Sequence, residues 1–396
     1  MIRRHGLFFL SCLLAFTAGH MFNYTVILYL QETVGSDLLS GLGFGLAFGS
    51  SILFGWFAGV LCDRLAPVRV IHGAQALFLL GLACLWWADG GGAAYRVAWT
   101  LTGAFCGGLA WSFVGPARLT TLGQIASPAE LRPATIVFNL QVLVGFGLAP
   151  LLIGITRSHA GWGTVLLIAA GGFVLASLLI LGVQSRPHAQ PSVQSVRADI
   201  VEGFAAVASR PLLKQLMLAA VIGYALTGPL QILLPKLARQ ELGLSEAQRG
   251  AYLGLLAISL IVGGVLALAL SKRVHHGRFI FGGVVAGSAL FALLSQVRDP
   301  VLSAVMLGGV GVLGGMVISL VVSGIQAHAP EQLRGRVMAM YSITSQVLPA
   351  FSGVMAGVLV NHLGVTSAIA TAGLLLGTIA AAAAVAMPVL RRNTGH

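Results

Sequence analysis

A short pattern occurs twice in this 396-residue chain, 202 positions apart. Ser127-Pro128-Ala129-Glu130-Leu131-Arg132 opens an apolar run that closes at His159-Ala160-Gly161. Ala329-Pro330-Glu331-Gln332-Leu333-Arg334 opens a second, which closes at His362-Leu363-Gly364. A polar Pro-x-x-Leu-Arg turn, an apolar stretch and a terminal His-x-Gly match in order and in length, so the chain reads as two copies of one unit. Each apolar stretch exceeds the roughly 20 residues that carry a helix across a bilayer core. The duplicated unit is therefore a membrane unit.

Twelve such runs can be marked, at about 6–30, 38–62, 69–88, 94–117, 133–156, 162–183, 212–235, 248–270, 278–297, 301–325, 336–360 and 365–388. Fifty-seven per cent of residues are hydrophobic and 9% charged, against about 25% charged in soluble domains. So little charge cannot keep a chain of this size dispersed in water. The 52 glycines fit the same reading, because helices in lipid associate by close backbone approach at small residues. The first run follows Arg3 and Arg4 as a signal peptide would, but its apolar stretch is too long for one and ends at no cleavage site.

The expected fold is all-α and polytopic: 12 transmembrane helices in two pseudo-symmetric six-helix bundles, 1–183 and 212–396, joined by a polar linker at 184–211. Within the linker, residues 196–207 predict a short amphipathic helix. Placing both termini in the cytoplasm puts 17 of the 23 Lys and Arg in inside segments and 6 in outside loops, as the positive-inside rule requires. The net charge of +12 is this loop bias. It forms no basic stripe with interleaved aromatics, so nucleic acid is not an expected partner; the lipid bilayer is.

Enzyme classes find no support. The chain has no His-Glu-x-x-His, no Gly-x-Ser-x-Gly, no phosphate-binding loop and no intramembrane acid pair. Cys12, Cys62, Cys84 and Cys106 have no metal-ligand spacing and read as reduced packing residues. No cofactor or metal is expected, and the chain is read as a monomer.

The run at 38–62 ends Gly59-Val60-Leu61-Cys62-Asp63-Arg64-Leu65-Ala66-Pro67. This resembles the loop 2–3 signature of the major facilitator superfamily, Gly-x-Leu-Ala-Asp-Arg-x-Gly-Arg-Arg, with Ala66 and Pro67 in place of Gly-Arg. Gly145-Phe146-Gly147-Leu148-Ala149-Pro150-Leu151-Leu152-Ile153-Gly154 resembles that family's antiporter motif, in which small residues permit close packing and proline bends the helix; Gly145, Ala149, Pro150 and Gly154 carry the match. The two Pro-x-x-Leu-Arg loops, with Asp199-Ile200-Val201-Glu202-Gly203-Phe204 in the linker, resemble the enterobactin-exporter-like and macrolide-efflux-like group. The resemblance implies a major facilitator fold in a bacterial inner membrane. It also implies export by alternating access driven by proton-motive force, and a cytoplasmic gate at Asp63 and Arg64, to which Arg118, Arg334 and Arg336 are added.

All eleven acids fall in loops or at the ends of the apolar runs. A cationic cargo would find no buried counter-charge, so a small neutral, zwitterionic or anionic substrate is favoured, of which siderophores are one class. Macrolide or multidrug efflux, lysophospholipid flipping and a non-transporting sensor remain alternatives on the same fold. His20, Asn23 and Tyr24 share one face of helix 1, and Tyr224, Thr227 and Gln231 share one face of helix 7. Polar stripes of this kind line cavities. Trp111, Asn139, Tyr252, Tyr341 and Thr344 are further cavity candidates. His20 is either the proton carrier or a neutral histidine bonded between helices, and Asp63 is the other coupling candidate. Arg118 either draws an anion to the cytoplasmic mouth or anchors to headgroups.

Overall fold

The computed structural model describes residues 2–183, 185, 196–270, 276–330 and 333–392. Lys272, Arg273, Glu331 and Gln332 fall outside the described residues, as do the side chains of Asp63, Arg132 and Asp199. The helices are α1 (Ile2–Glu32), α2 (Asp37–Gly49), α3 (Ser51–Arg64), α4 (Pro67–Ala88), α5 (Ala93–Ile125), α6 (Pro128–Leu179), α7 (Val196–Ala208), α8 (Pro211–Ala225), α9 (Thr227–Gln240), α10 (Glu246–Leu270), α11 (His276–Leu294), α12 (Pro300–His328), α13 (Arg334–Ala386) and α14 (Pro388–Arg392).

Among the described residues, ten helical stretches are long and apolar enough to cross a membrane, two of them 52 and 53 residues long. Each of those two is twice the length one crossing needs, and each is broken once. Gly161 in α6 has φ 72 and ψ −173, and Gly364 in α13 has φ 75 and ψ 169. Only glycine adopts this region without strain, so each break falls on the last residue of the sequence repeat. Twelve crossings result.

The repeat extends in the backbone beyond its motif residues. The positive-φ positions among the described residues are Gly35, Gly161, Gly243 and Gly364. Gly35 follows α1 and Gly243 follows α9, and each precedes a serine cap. Ser36 accepts from Leu39 N at 3.3 Å. Ser245 accepts from Gln248 N at 3.4 Å, while Gln248 Oε1 accepts from Ser245 N at 2.9 Å, a reciprocal capping box. The polar turn before α6 is a second such box, with Pro128 at its first helical position and Ser127 N donating to Glu130 Oε2 at 3.3 Å.

Two expected single helices are divided. The run at 38–62 is interrupted at Ser50, whose hydroxyl donates to Leu46 O at 2.7 Å, the back-bonding by which serine loosens a helix. The run at 212–235 is interrupted at Leu226. Pro229 has no N–H to give the carbonyl four residues earlier, and α8 ends there, at Ala225.

The chain forms two compact units, Met1–Val193 with Leu244–Gly254, and Gln194–Gly243 with Leu255–His396. In the first, α1 is buried on almost every side from Ala15 to Leu30, the signature of a helix enclosed by others. It packs along α6. In the second, α11, α12 and α13 pack on one another, and the linker helix α7 rests on α13. A Cβ on Gly315 would stand 2.0 Å from Leu260 O, so α10 and α12 touch backbone to backbone.

Candidate substrate site

In the first unit the stripe on α1 turns inward. His20, Asn23 and Tyr24 are 8%, 4% and 3% exposed. Trp111 of α5 donates from Nε1 to Asn23 Oδ1 at 3.2 Å, and its ring lies 5.1 Å from that of His20. Phe146 of α6 closes the other side, 5.3 Å from His20 and 5.9 Å from Tyr24. Phe16 stacks on Trp111 at 6.2 Å, their planes 3° apart. Gly19 makes room for the indole, since a Cβ there would come within 2.7 Å of it.

Within this aromatic cage two polar atoms have no hydrogen-bond partner, His20 Nε2 and Asn23 Nδ2. Buried polar groups are normally satisfied, so their exposed chemistry marks the cage as a place where a ligand can complete the set. It offers amide N–H donors and an imidazole nitrogen between π faces, and brings no carboxylate. Phe16 and Phe146 were absent from the sequence candidates; Phe146 sat unremarked inside the glycine motif.

Arg118, read from sequence as either an anion attractor at the cytoplasmic mouth or a headgroup anchor, folds inward in the structure. It is fully buried, with Nη1 and Nη2 each 3.1 Å from Ser11 Oγ and Nη1 3.2 Å from Cys12 Sγ. Ser11 in turn donates to Ala176 O at 2.7 Å. No carboxylate among the described residues pairs with this guanidinium. The sequence missed it because positive charge beside a loop looks the same whether the side chain points out or folds inward. Asn139 is exposed on α6. Tyr252, within the segment of α10 assigned to this unit, is buried.

In the second unit the Tyr224 and Tyr341 hydroxyls meet at 2.5 Å, their rings 5.8 Å apart and edge-on. Gln231 is buried and Thr227 half-buried. Thr344 is bonded to its own helix, donating to Met340 O at 2.9 Å. Of the gating candidates, Arg64 and Arg334 are exposed. Arg336 pairs with Glu202 of α7, and Gly203 lets the linker helix approach, since a Cβ there would lie 3.1 Å from Met340 Sδ.

The glycine motif of α6 works as a close-packing surface. A Cβ on Gly145 would lie 2.8 Å from Thr17 N in α1, and one on Gly154 2.4 Å from Glu246 O in α10. Ala149 is fully buried between these contacts.

Residues 8–354 match the description of the Major Facilitator Superfamily. The chain is 25% identical over 378 residues to an uncharacterised MFS-type transporter, y4rN, of Sinorhizobium fredii (strain NBRC 101917 / NGR234), covering 90% of this chain and 89% of that one. It is 26% identical over 256 residues to the multidrug efflux pump Tap of Mycolicibacterium fortuitum, covering 62% and 60%. Among solved structures, a POT family transporter in complex with 5-aminolevulinic acid superposes with a TM-score of 0.77 at 13% identity, covering 98% of this chain and 96% of that one. The twelve crossings, the paired glycine breaks and the family match lead to one conclusion: the chain belongs to the Major Facilitator Superfamily of multi-pass membrane transporters.

Proposed function

We propose that the chain is a secondary active exporter that moves a small neutral or anionic molecule, of the siderophore class, outward across a bacterial cytoplasmic membrane. The observation that carries this reading is the aromatic cage of the first unit, whose unpartnered His20 Nε2 and Asn23 Nδ2 lie in a protein with no Asp or Glu among the fully buried side chains of the described residues. Catecholates and hydroxamates bring oxygen acceptors for the Asn23 amide, and catecholates add flat rings that stack on Trp111 and Phe146. An anion leaving a negative-inside cell gains about 2.3 kcal/mol per charge per 100 mV, so such a cargo supplies part of its own driving force. His20 is assigned the coupled proton, and Asp63 with Arg64 the cytoplasmic gate.

A second reading, multidrug efflux, draws on the likeness to the pump from Mycolicibacterium fortuitum. Accumulation in cells separates the two. Expression should lower the cell content of a labelled catecholate or hydroxamate siderophore, and Asn23→Ala should abolish the difference. Export of lipophilic cations with no effect on either siderophore would replace the first reading with the second.

A further inference from the structure

Among the described residues, nothing beside Arg118 cancels its charge. Its nearest partners are the Ser11 hydroxyl and the Cys12 thiol, both neutral acceptors, and its Nε has no hydrogen-bond partner. His72 of α4 lies within electrostatic reach, but an imidazole is neutral or positive and supplies no counter-charge. A guanidinium does not shed its proton in proteins. A full positive charge therefore sits at 0% exposure inside the first unit. Ionisable groups buried at membrane depth are normally paired or serve a transport path.

Two helices connect this charge to the aromatic cage. On α1, Cys12, Phe16 and His20 are spaced four apart and share one stripe. On α5, Trp111 and Arg118 stand seven residues apart, about two turns. Phe16 is common to both ends: Arg118 Cζ lies over its ring, 6.0 Å from the centroid, and Trp111 stacks on it at 6.2 Å. Those two links put the charge within about 12 Å of the Trp111 indole. The layer between is aromatic, with Phe138 edge-on to Phe16 at 5.2 Å.

A charge held in this way acts at a distance. At about 12 Å and an effective dielectric of about 20, one unit charge biases the binding of another by about tenfold. We infer that Arg118 is a specificity-determining residue, holding the cage at positive potential so that it admits anions and rejects cations. Ser11 and Cys12 position the guanidinium, and the selection needs no contact between Arg118 and the cargo. This inference rests on the reading of the cage as the cargo site. It adds an attractive element to the selection, beyond the lack of buried acids.

The test reads potential and needs no cargo. In a background with Cys12, Cys62, Cys84 and Cys106 changed to serine, His20→Cys places a thiol in the cage and removes its imidazole; Cys12→Ser keeps an acceptor for Arg118. On detergent-solubilised protein, rates are measured with the anionic sulfonatoethyl and the cationic trimethylammonioethyl methanethiosulfonates, with the neutral methyl reagent as the reference for access. The anion-to-cation ratio cancels the thiolate fraction. The two reagents differ by two charges, so Arg118→Gln should lower the ratio by about a hundredfold. Ser11→Asp keeps the guanidinium and sets a carboxylate beside it, and should lower the ratio likewise. Ser11→Ala removes a hydrogen-bond partner, leaves the charge, and should preserve the ratio. An unchanged ratio in Arg118→Gln, or in Ser11→Asp where Arg118→Gln does not fold, would overturn the inference. Equal changes in all three rates, the result of a purely structural role, would overturn it too. Failure to export siderophores leaves the ratio standing, whereas an unchanged ratio removes the part given to Arg118 and leaves the cargo reading to its own test.

Discussion

Replacing Gly161 with alanine isolates the backbone conformation that joins the two crossings of α6. Its φ of 72 and ψ of −173 lie where an L side chain is strained, at a cost of about 1–3 kcal/mol. No atom lies within 4 Å of the added Cβ, so no steric clash contributes. Against this, alanine restricts the unfolded chain and returns about 0.4–1 kcal/mol. The net loss is about 1.3 kcal/mol at the centre of these ranges. Gly171 supplies the internal control: it lies in the same helix, it too has nothing within 4 Å of a Cβ, and its backbone is helical. There alanine should stabilise by about 0.5–1 kcal/mol, the usual helix preference over glycine. Unfolding in detergent micelles should therefore place Gly161→Ala below the wild type and Gly171→Ala at or above it. Gly364→Ala, at φ 75 with the same open surroundings, should match Gly161→Ala. If the Gly161 and Gly171 variants shift equally in the same direction, the turn is not what fixes glycine at the end of the repeat.

Two further outcomes follow from the second unit and from the loops. Tyr224→Phe leaves the Tyr341 hydroxyl unpaired and should cost about 1–3 kcal/mol of stability, while the double change with Tyr341→Phe should recover most of it; equal losses in single and double variants would make the contact incidental. Reporter fusions after Arg391 should read cytoplasmic and one at Asp89 external, and Asp63→Asn should impair export at normal expression; an external reading after Arg391 would reverse the orientation and the gate together.

The twelve crossings were legible in the sequence because a bilayer imposes length and apolarity on every one. The same rule hid the subdivisions. Ser50 and Leu226 interrupt helices whose apolar runs continue unbroken, and only local chemistry, a serine back-bond and Pro229, decides the break. Half of the glycine pairing was visible as His-x-Gly, but Gly35 and Gly243 have different neighbours in the two copies and emerge only from their backbone angles. At the site, helical periodicity put His20, Asn23 and Tyr24 on one face, and all three are buried in the structure. It could not supply Trp111 as the Asn23 partner over Asn139, because that choice depends on which helices pack. Arg118 shows the limit most plainly, since sequence reports a charge near a loop and not the direction in which the side chain folds.

The cage around His20 and Asn23 is proposed to carry a neutral or anionic cargo outward. Its most direct test is transport of an anionic catecholate siderophore by purified protein in proteoliposomes, with a pH gradient and a membrane potential imposed separately. Wild-type protein should respond to both, His20→Gln should keep only the response to potential, and Asn23→Ala should respond to neither. Transport of a lipophilic cation with none of the siderophore, or His20→Gln and Asn23→Ala variants indistinguishable from wild type, would contradict it.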